Sequence, residues 1–406
     1  MTALPGTPTT SRVFSRSDQI LIGVAVAATI GAMVVRSGSI VPFVVSAAAV
    51  AVLAALVGRA VDHLSDRLGA GAVGVLQSAL GNLPELFISI FALRAGLTTV
   101  VTSAIIGSIL ANLLLVLGLS FTVGSARNGV LRFSSQRARL IMGLMILSVA
   151  SMLIPSLASY VHSPASGHET ALSRVTAVVL LVVFALSIPA SLRRDLEPTA
   201  AEEAAEAKQE MDEGNRWPLW LAVGMLAATG VAAAYVSDLF VDALTPAMNS
   251  LHISEAFSGL VIVAIAGNAV ENAVGVKLAW QNQADHALSV ILNSPLQIAL
   301  VLAPVLVLIS PVIGGPSFTL VFAPMLVSTV GISTLAVLYL ISDGESDWLE
   351  GAAMIGLYVL VATAFPAASS KTAVHKQKTP YPCQGDSRSF GPCTDCPTSC
   401  PASVGR

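Results

Sequence analysis

Two short stretches, Gly81-Asn82-Leu83-Pro84-Glu85 and Gly267-Asn268-Ala269-Val270-Glu271, repeat one Gly-Asn-x-x-Glu pattern 186 positions apart, each inside a long apolar segment. An ionised glutamate at bilayer depth is costly unless it is protonated, paired or metal-bound, which makes such a residue a functional-site candidate by default. The surroundings leave little doubt about the depth. The chain is 54% hydrophobic and only 11% charged, whereas soluble domains carry roughly 25% charged residues. These values describe an all-α polytopic membrane protein, and the chain must fold so that two carboxylates are tolerated inside it.

Crossing the hydrocarbon core as a helix takes about 17 to 25 apolar residues. Such runs fall near 19–35, 39–58, 71–93, 97–121, 140–160 and 171–191, then near 217–240, 254–279, 285–309, 317–341 and 348–367. Eleven spans are expected. Lys and Arg mark cytoplasmic loops. With the N-terminus inside, cytoplasmic segments hold Arg12, Arg16, Arg59, Arg67, Arg127, Arg132, Arg137, Arg139, Arg193, Arg194, Lys208, Arg216 and Lys277, and the opposite loops only Arg36, Arg94 and Arg174. The expected topology is a cytoplasmic N-terminus, an external C-terminus and a bacterial-type inner membrane. The first apolar run reads as a retained span rather than a signal peptide, because no clear cleavage site follows it. All four cysteines, Cys383, Cys393, Cys396 and Cys400, lie in a Pro/Ser/Gly-rich tail. One CxxC without His or a second CxxC is weak support for metal, so that tail reads as flexible.

Arg193 to Arg216 is the one long polar interruption, with eight acidic and four basic residues. Its glutamates 202, 203, 206, 210 and 213 suit a short acidic cytoplasmic helix or a solvated connector. The expected organisation is an N-terminal tail (1–18), an extra helix (19–38), a five-helix repeat (39–192), the connector (193–216), a second five-helix repeat (217–367) and the tail (368–406). Five helices per half is an odd number, so the second half enters the membrane inverted. Inverted repeats place a binding site near the midplane, built from interrupted helices, and Pro84 supplies an interruption beside Glu85.

Asn82 and Glu85 are three apart, as are Asn268 and Glu271, so amide and carboxylate are expected on one helix face. Gly81 and Gly267 allow close backbone approach. The next span of each half adds Ser108 and Asn112 in Gly107-Ser-Ile-Leu-Ala-Asn112, and Ser294 and Gln297 in Asn293-Ser-Pro-Leu-Gln297. Both serines obey the 186-residue offset. Together these groups form an oxygen-rich pocket suited to a hard cation such as Ca²⁺, which takes six to eight oxygens, and two glutamates would balance a divalent charge. Burial disfavours an ionised carboxyl group and a nearby cation favours it, so metal and proton compete for the same oxygens. The expected ligands are therefore Ca²⁺ and protons, with the lipid bilayer as surroundings, no resident cofactor and no nucleic acid.

Other ionisable residues suggest solvated positions: Asp62, His63 and Asp66 in a connector, Asp343, Glu345, Asp347 and Glu350 before the last span, and Asp238, Asp242, His252 and Glu255 in an acidic vestibule outside spans seven and eight. No His lies well inside a span, which argues against an intramembrane hydrolase and against an enzyme in general.

With these motifs in view, the chain resembles the Ca²⁺/H⁺ (cation/proton) exchangers of the cation/Ca²⁺ exchanger superfamily. The matching segments are Gly81 to Gly96 with Gly107 to Gly118, and Gly267 to Gln283 with Asp285 to Ser310. The resemblance implies ten core helices plus one, alternating access, and Ca²⁺ export driven by inward proton flow. It implies that Glu85 and Glu271 alternate between metal and proton, with Asn82, Asn268, Ser108, Ser294 and Gln297 lining the site. Sodium-coupled relatives typically carry Gly-Thr-Ser where this chain has Gly-Asn, which favours proton coupling over Na⁺ coupling. Departures are Asn272 where the family usually has His, and Asn293 with Pro295 in place of Gly-Ser-Ser; they bear on selectivity among Ca²⁺, Na⁺, K⁺ and Mn²⁺. A cation channel or ion sensor would be the remaining alternative built from the same oxygens.

Overall fold

The computed structural model describes residues 14–35, 38, 40–65, 80–161, 167–194 and 217–365. The acidic centre of the connector and the cysteine tail lie outside them. The chain is an all-α polytopic membrane protein. Its helices are α1 (Arg16–Val34), α2 (Ile40–Ser65), α3 (Leu83–Arg94), α4 (Thr98–Asn128), α5 (Ser135–Tyr160), α6 (Glu169–Arg194), α7 (Leu219–Leu251), α8 (Glu255–Gly267), α9 (Ala269–Trp280), α10 (Ala284–Ile313), α11 (Pro324–Leu340) and α12 (Trp348–Thr363). Among the described residues seven helices are long and apolar enough to cross a membrane, and α8 with α9 pass the same test only as a pair, bent by 63° at their break.

The 186-residue offset of the motifs extends to the elements. Helices α3 and α9 begin and end at that offset, α4 and α10 begin at it, and π-helical stretches follow at Ala111–Val116 and Ile298–Leu302. π turns inside α-helices recur at functional sites; the first of these contains Asn112 and the second directly follows Gln297.

Helices α2 and α7 run antiparallel: Phe43 stacks on Phe240 at 5.1 Å near one end, and His63 stacks on Trp217 at 4.4 Å at the other. At that second end Asp18, 1% exposed, accepts from Arg59 Nε (2.9 Å), from the Ser15 amide (3.1 Å) and from Trp217 Nε1 (3.3 Å). A buried carboxylate satisfied by three donors ties α1 to both.

Glycines set the closest crossing. A side chain on Gly107 of α4 would run into the main chain of Leu260 in α8, and one on Gly259 into the main chain of Val100. This crossing joins the N-terminal halves of α4 and α8, toward what we term the Leu97 end. At the opposite, Asn128 end, Asn128 Nδ2 donates to the carbonyls of Ala279 (3.4 Å) and Trp280 (3.3 Å), the Ser134 amide donates to Asp285 (2.8 Å), and Arg127 lies 4.6 Å over the Trp280 ring. A two-residue ladder, β1 (Leu131–Arg132) against β2 (Glu345–Ser346), completes this end.

Several expectations need correction. Asp62 and His63 belong to the last turns of α2, not to a connector. Helix α7 runs to Leu251 and ends on a left-handed His252 (φ 55°), so Asp238 and Asp242 lie on the helix rather than outside it. Asp347 and Glu350 are a capping box for α12, and Glu345 pairs with Arg132 at 3.3 Å, so that acidic patch is local structure rather than simple solvated charge. Residues 317–323 are not helical: the amides of Phe318, Leu320 and Phe322 donate to the hydroxyls of Ser310, Ser173 and Ser156, which satisfies the backbone without a helix.

Gly259→Val should push α8 off α4 and lower the thermal unfolding midpoint in detergent by the equivalent of about 1–3 kcal/mol, the usual cost of overpacking. Gly230→Ala, at a position with nothing within 4 Å, should leave the midpoint unchanged or raise it.

Candidate functional site

Helix α3 starts after Gly81-Asn82, and α9 starts after Gly267-Asn268. The two breaks share one backbone conformation, with φ/ψ of −95°/23° at Asn82 and −95°/13° at Asn268. Pro84 is not their common cause. It sits in the first turn of α3, where its missing N–H costs nothing, and the second half breaks identically with Ala269-Val270 in its place.

The asparagines are N-cap residues and the glutamates occupy the third helical position, the spacing of a capping box. Neither asparagine caps its own helix. Amide and carboxylate thus straddle a helix start, rather than sharing a face along a continuous helix, and the asparagine side chains reach across the bundle instead. Asn82 Nδ2 donates to Gln297 Oε1 at 3.0 Å, and Asn268 Nδ2 donates to Ser108 Oγ at 3.0 Å and to the Ala264 carbonyl at 2.9 Å. Each glutamate meanwhile lies in the first turn of a half-helix, whose positive end favours negative charge.

One buried network joins both motifs. Ser294 Oγ donates to Glu271 Oε2 at 2.6 Å and lies 3.1 Å from Asn268 Oδ1. Asn112 Nδ2 reaches the Ser108 carbonyl (2.9 Å), Asn268 Oδ1 (3.3 Å) and Ser294 Oγ (3.5 Å). Glu85 enters from the other half: a Cβ on Gly267 would lie 2.8 Å from its Cγ and 3.0 Å from its Oε1, so only glycine leaves room for this carboxylate. Glu85 thus packs against the turn from which Glu271 is presented. The structure therefore brings together Glu85, Glu271, Asn82, Asn268, Ser108, Ser294, Asn112 and Gln297. Gly81 occupies the turn before α3.

The two halves are not used alike. Glu271 Oε2 is held by Ser294, but Glu85 Oε2, Asn82 Oδ1 and Asn112 Oδ1 are buried without a hydrogen-bond partner. Buried polar atoms are rarely left so. Among the described residues no three His, Cys, Asp or Glu side chains gather as a metal centre. A cation here would be held by two carboxylates with neutral amide and hydroxyl oxygens, a set that suits hard ions. A narrow cleft of about 10 Å³, room for about one water, reaches Glu85 and is lined also by Ser89, Ala104, Ile105, Ser108, Val263, Ile298 and Leu302. Sequence reasoning missed Ser89, a serine four residues after Glu85 whose only signal was that spacing. Asn272, noted above as a departure, also has a buried Oδ1 without a partner.

The sodium/calcium exchanger protein family matches residues 38–192 and 221–365, most of the chain and both motifs. A Ca²⁺/H⁺ antiporter of Aphanothece halophytica is 34% identical over 334 residues, covering 80% of this chain and 89% of that protein. The chain belongs to this exchanger family, on its Ca²⁺/H⁺ branch. The Ca²⁺/H⁺ antiporter ChaA of Bacillus subtilis is 35% identical over 349 residues, 85% of this family member and 97% of that protein. The solved structure of native YfkE superposes with a TM-score of 0.70 at 31% identity, covering 86% of this chain and 98% of that one. Membership places the chain in a family of transporters.

Asn268→Leu should leave Ser108, Ser294 and Asn112 short of partners and lower stability by about 1–3 kcal/mol for each group orphaned, measured as a thermal shift. Asn268→Asp, which keeps the shape and an acceptor, should cost less.

Proposed function

We propose that this protein exchanges Ca²⁺ for H⁺ across its membrane by alternating access, with Glu85 and Glu271 holding either the metal or protons. The observation that carries this reading is the set of buried, unpartnered oxygens on Glu85, Asn82 and Asn112 beside a Glu271 held by Ser294. Buried oxygens without donors are what a hard cation replaces its water with. When the cation leaves, two neighbouring carboxylates cannot both stay ionised at low cost in such surroundings, and protonation relieves them. Metal and proton thereby exclude one another, which couples their movements.

Gln297 orients Asn82, since its Oε1 accepts from Asn82 Nδ2 and turns Asn82 Oδ1 away. Ser294 and Asn268 orient Glu271 in the same way. Ser108 and Asn112 link the two motifs, so a shift of either half-helix is felt by both carboxylates. Alternating access is supported by the common offset of α3, α4, α9 and α10 and by the equal breaks at Asn82 and Asn268, the plan of inverted-repeat transporters. In this reading the halves are inverted five-helix repeats following an extra helix. The N-terminus is cytoplasmic, the Leu97 end faces outside, and proton entry drives Ca²⁺ export. The curated relatives bear the name Ca²⁺/H⁺ antiporter, which supports proton rather than sodium coupling.

In proteoliposomes a pH gradient should drive Ca²⁺ uptake that is indifferent to Na⁺, and Glu85→Gln or Glu271→Gln should reduce it to the level of empty liposomes while the purified protein stays monodisperse. A strict Na⁺ requirement would contradict the coupling. Wild-type exchange in either variant would contradict the site.

A further inference from the structure

Ser89 stands one helical turn beyond Glu85 on α3, so both side chains share a face, and both line the cleft. The direction of that cleft follows from its lining. Ser89 lies between Glu85 and Arg94, Ala104 and Ile105 precede Ser108 from Thr98, Val263 precedes Asn268, and Ile298 and Leu302 follow Ser294 toward Ile313. All lie on the Leu97 side of the hydrogen-bonded network. The cleft therefore lies on the Leu97 side of Glu85.

Serines and threonines inside helices often bond back to the carbonyl four residues earlier, as Ser46, Thr102 and Ser148 do here. The Ser89 hydroxyl makes no such bond to any described residue, although the residue is only 5% exposed. Its lone pairs and its proton are directed to the cleft rather than to the helix.

The second half has nothing comparable. At the 186-residue offset Ser89 corresponds to Gly275, and Ile105 to Ile291. Ile291 is fully buried and seated on Gly275: a Cβ there would lie 2.5 Å from Ile291 Cγ1 and 2.8 Å from its Cδ1. One turn beyond Glu85 there is thus a hydroxyl beside a water-sized cleft, and one turn beyond Glu271 an isoleucine fills the corresponding place.

We propose that Ser89 is a ligand of the transported cation on the passage between Glu85 and the Leu97 end, a staging position that the second half lacks. This rests on the exchange function proposed above. A divalent ion sheds its water stepwise, and a hydroxyl one turn from Glu85 replaces one water while the carboxylate replaces the next.

The test uses the full chain in oriented proteoliposomes, with Ca²⁺ presented from the face that bears Leu97 and Ile253. Ser89→Ala should raise the KM for Ca²⁺ at that face by about 3- to 10-fold, the range for one lost polar contact, with maximal rate near wild type, and Ser89→Thr should restore it. In a background with the four native cysteines replaced by serine, Ser89→Cys should react with an impermeant thiol reagent from that face alone, and Ca²⁺ should protect it. An unchanged KM in Ser89→Ala, or labelling indifferent to Ca²⁺, overturns the assignment. If the wild-type protein exchanges Ca²⁺ for protons and the Ser89 variants match it, the Ser89 role alone fails. If the wild type shows no such exchange, the proposed function fails with it.

Discussion

A carboxylate buried among apolar helices must be given a compensating charge or a donor, and the architecture follows from where this chain provides them. Each glutamate sits in the first turn of a half-helix that begins at an asparagine, Asn82 or Asn268. The start of a helix offers unpaired amides and a positive dipole end, so the interruption of the span is itself the stabilising device. Continuous helices through these positions would deprive both carboxylates of that positive helix end.

The asparagines then do a second task. At capping-box spacing they would ordinarily bond to their own helix, yet their amides reach Gln297 and Ser108 in neighbouring helices. This diversion turns two local helix starts into one shared polar centre, and Gly267 lets Glu85 pack against the opposite break. The centre is lopsided: Glu271 is engaged by Ser294, whereas the oxygens of Glu85, Asn82 and Asn112 are not engaged. The same inequality extends one turn outward, to Ser89 in one half and to Ile291 on Gly275 in the other.

Much of this was legible in the sequence because buried polar residues are so scarce there. Two Gly-Asn-x-x-Glu motifs and two serines at a constant offset pointed to the same residues that the structure brings together. The bond between Asn82 and Gln297 joins residues 215 positions apart, a contact that local spacing cannot specify. Pro84 misled as the cause of the break, since a proline in the first turn is compatible with a helix start and the second half breaks at the same Gly-Asn without one. Helix ends were misjudged where hydropathy is a poor guide. Helix α7 continues past Asp238 and Asp242 to Leu251, and the stretch before Pro324 is apolar but extended because three serines on other helices accept its amide bonds. Ser89 was overlooked because a single serine in an apolar helix looks like packing until the water-sized cleft beside it is seen.

The central claim, one site whose two carboxylates hold either metal or protons, is tested most directly by counting both ions at once. Purified protein in weakly buffered detergent solution is titrated with Ca²⁺ while bound metal and released protons are measured together. The account predicts one Ca²⁺ per chain at saturation and a release of between about one and two protons, falling as the starting pH is raised, because a proton already lost cannot be displaced. Binding of Ca²⁺ with no proton release across the pH range, or two independent Ca²⁺ ions per chain, would contradict it.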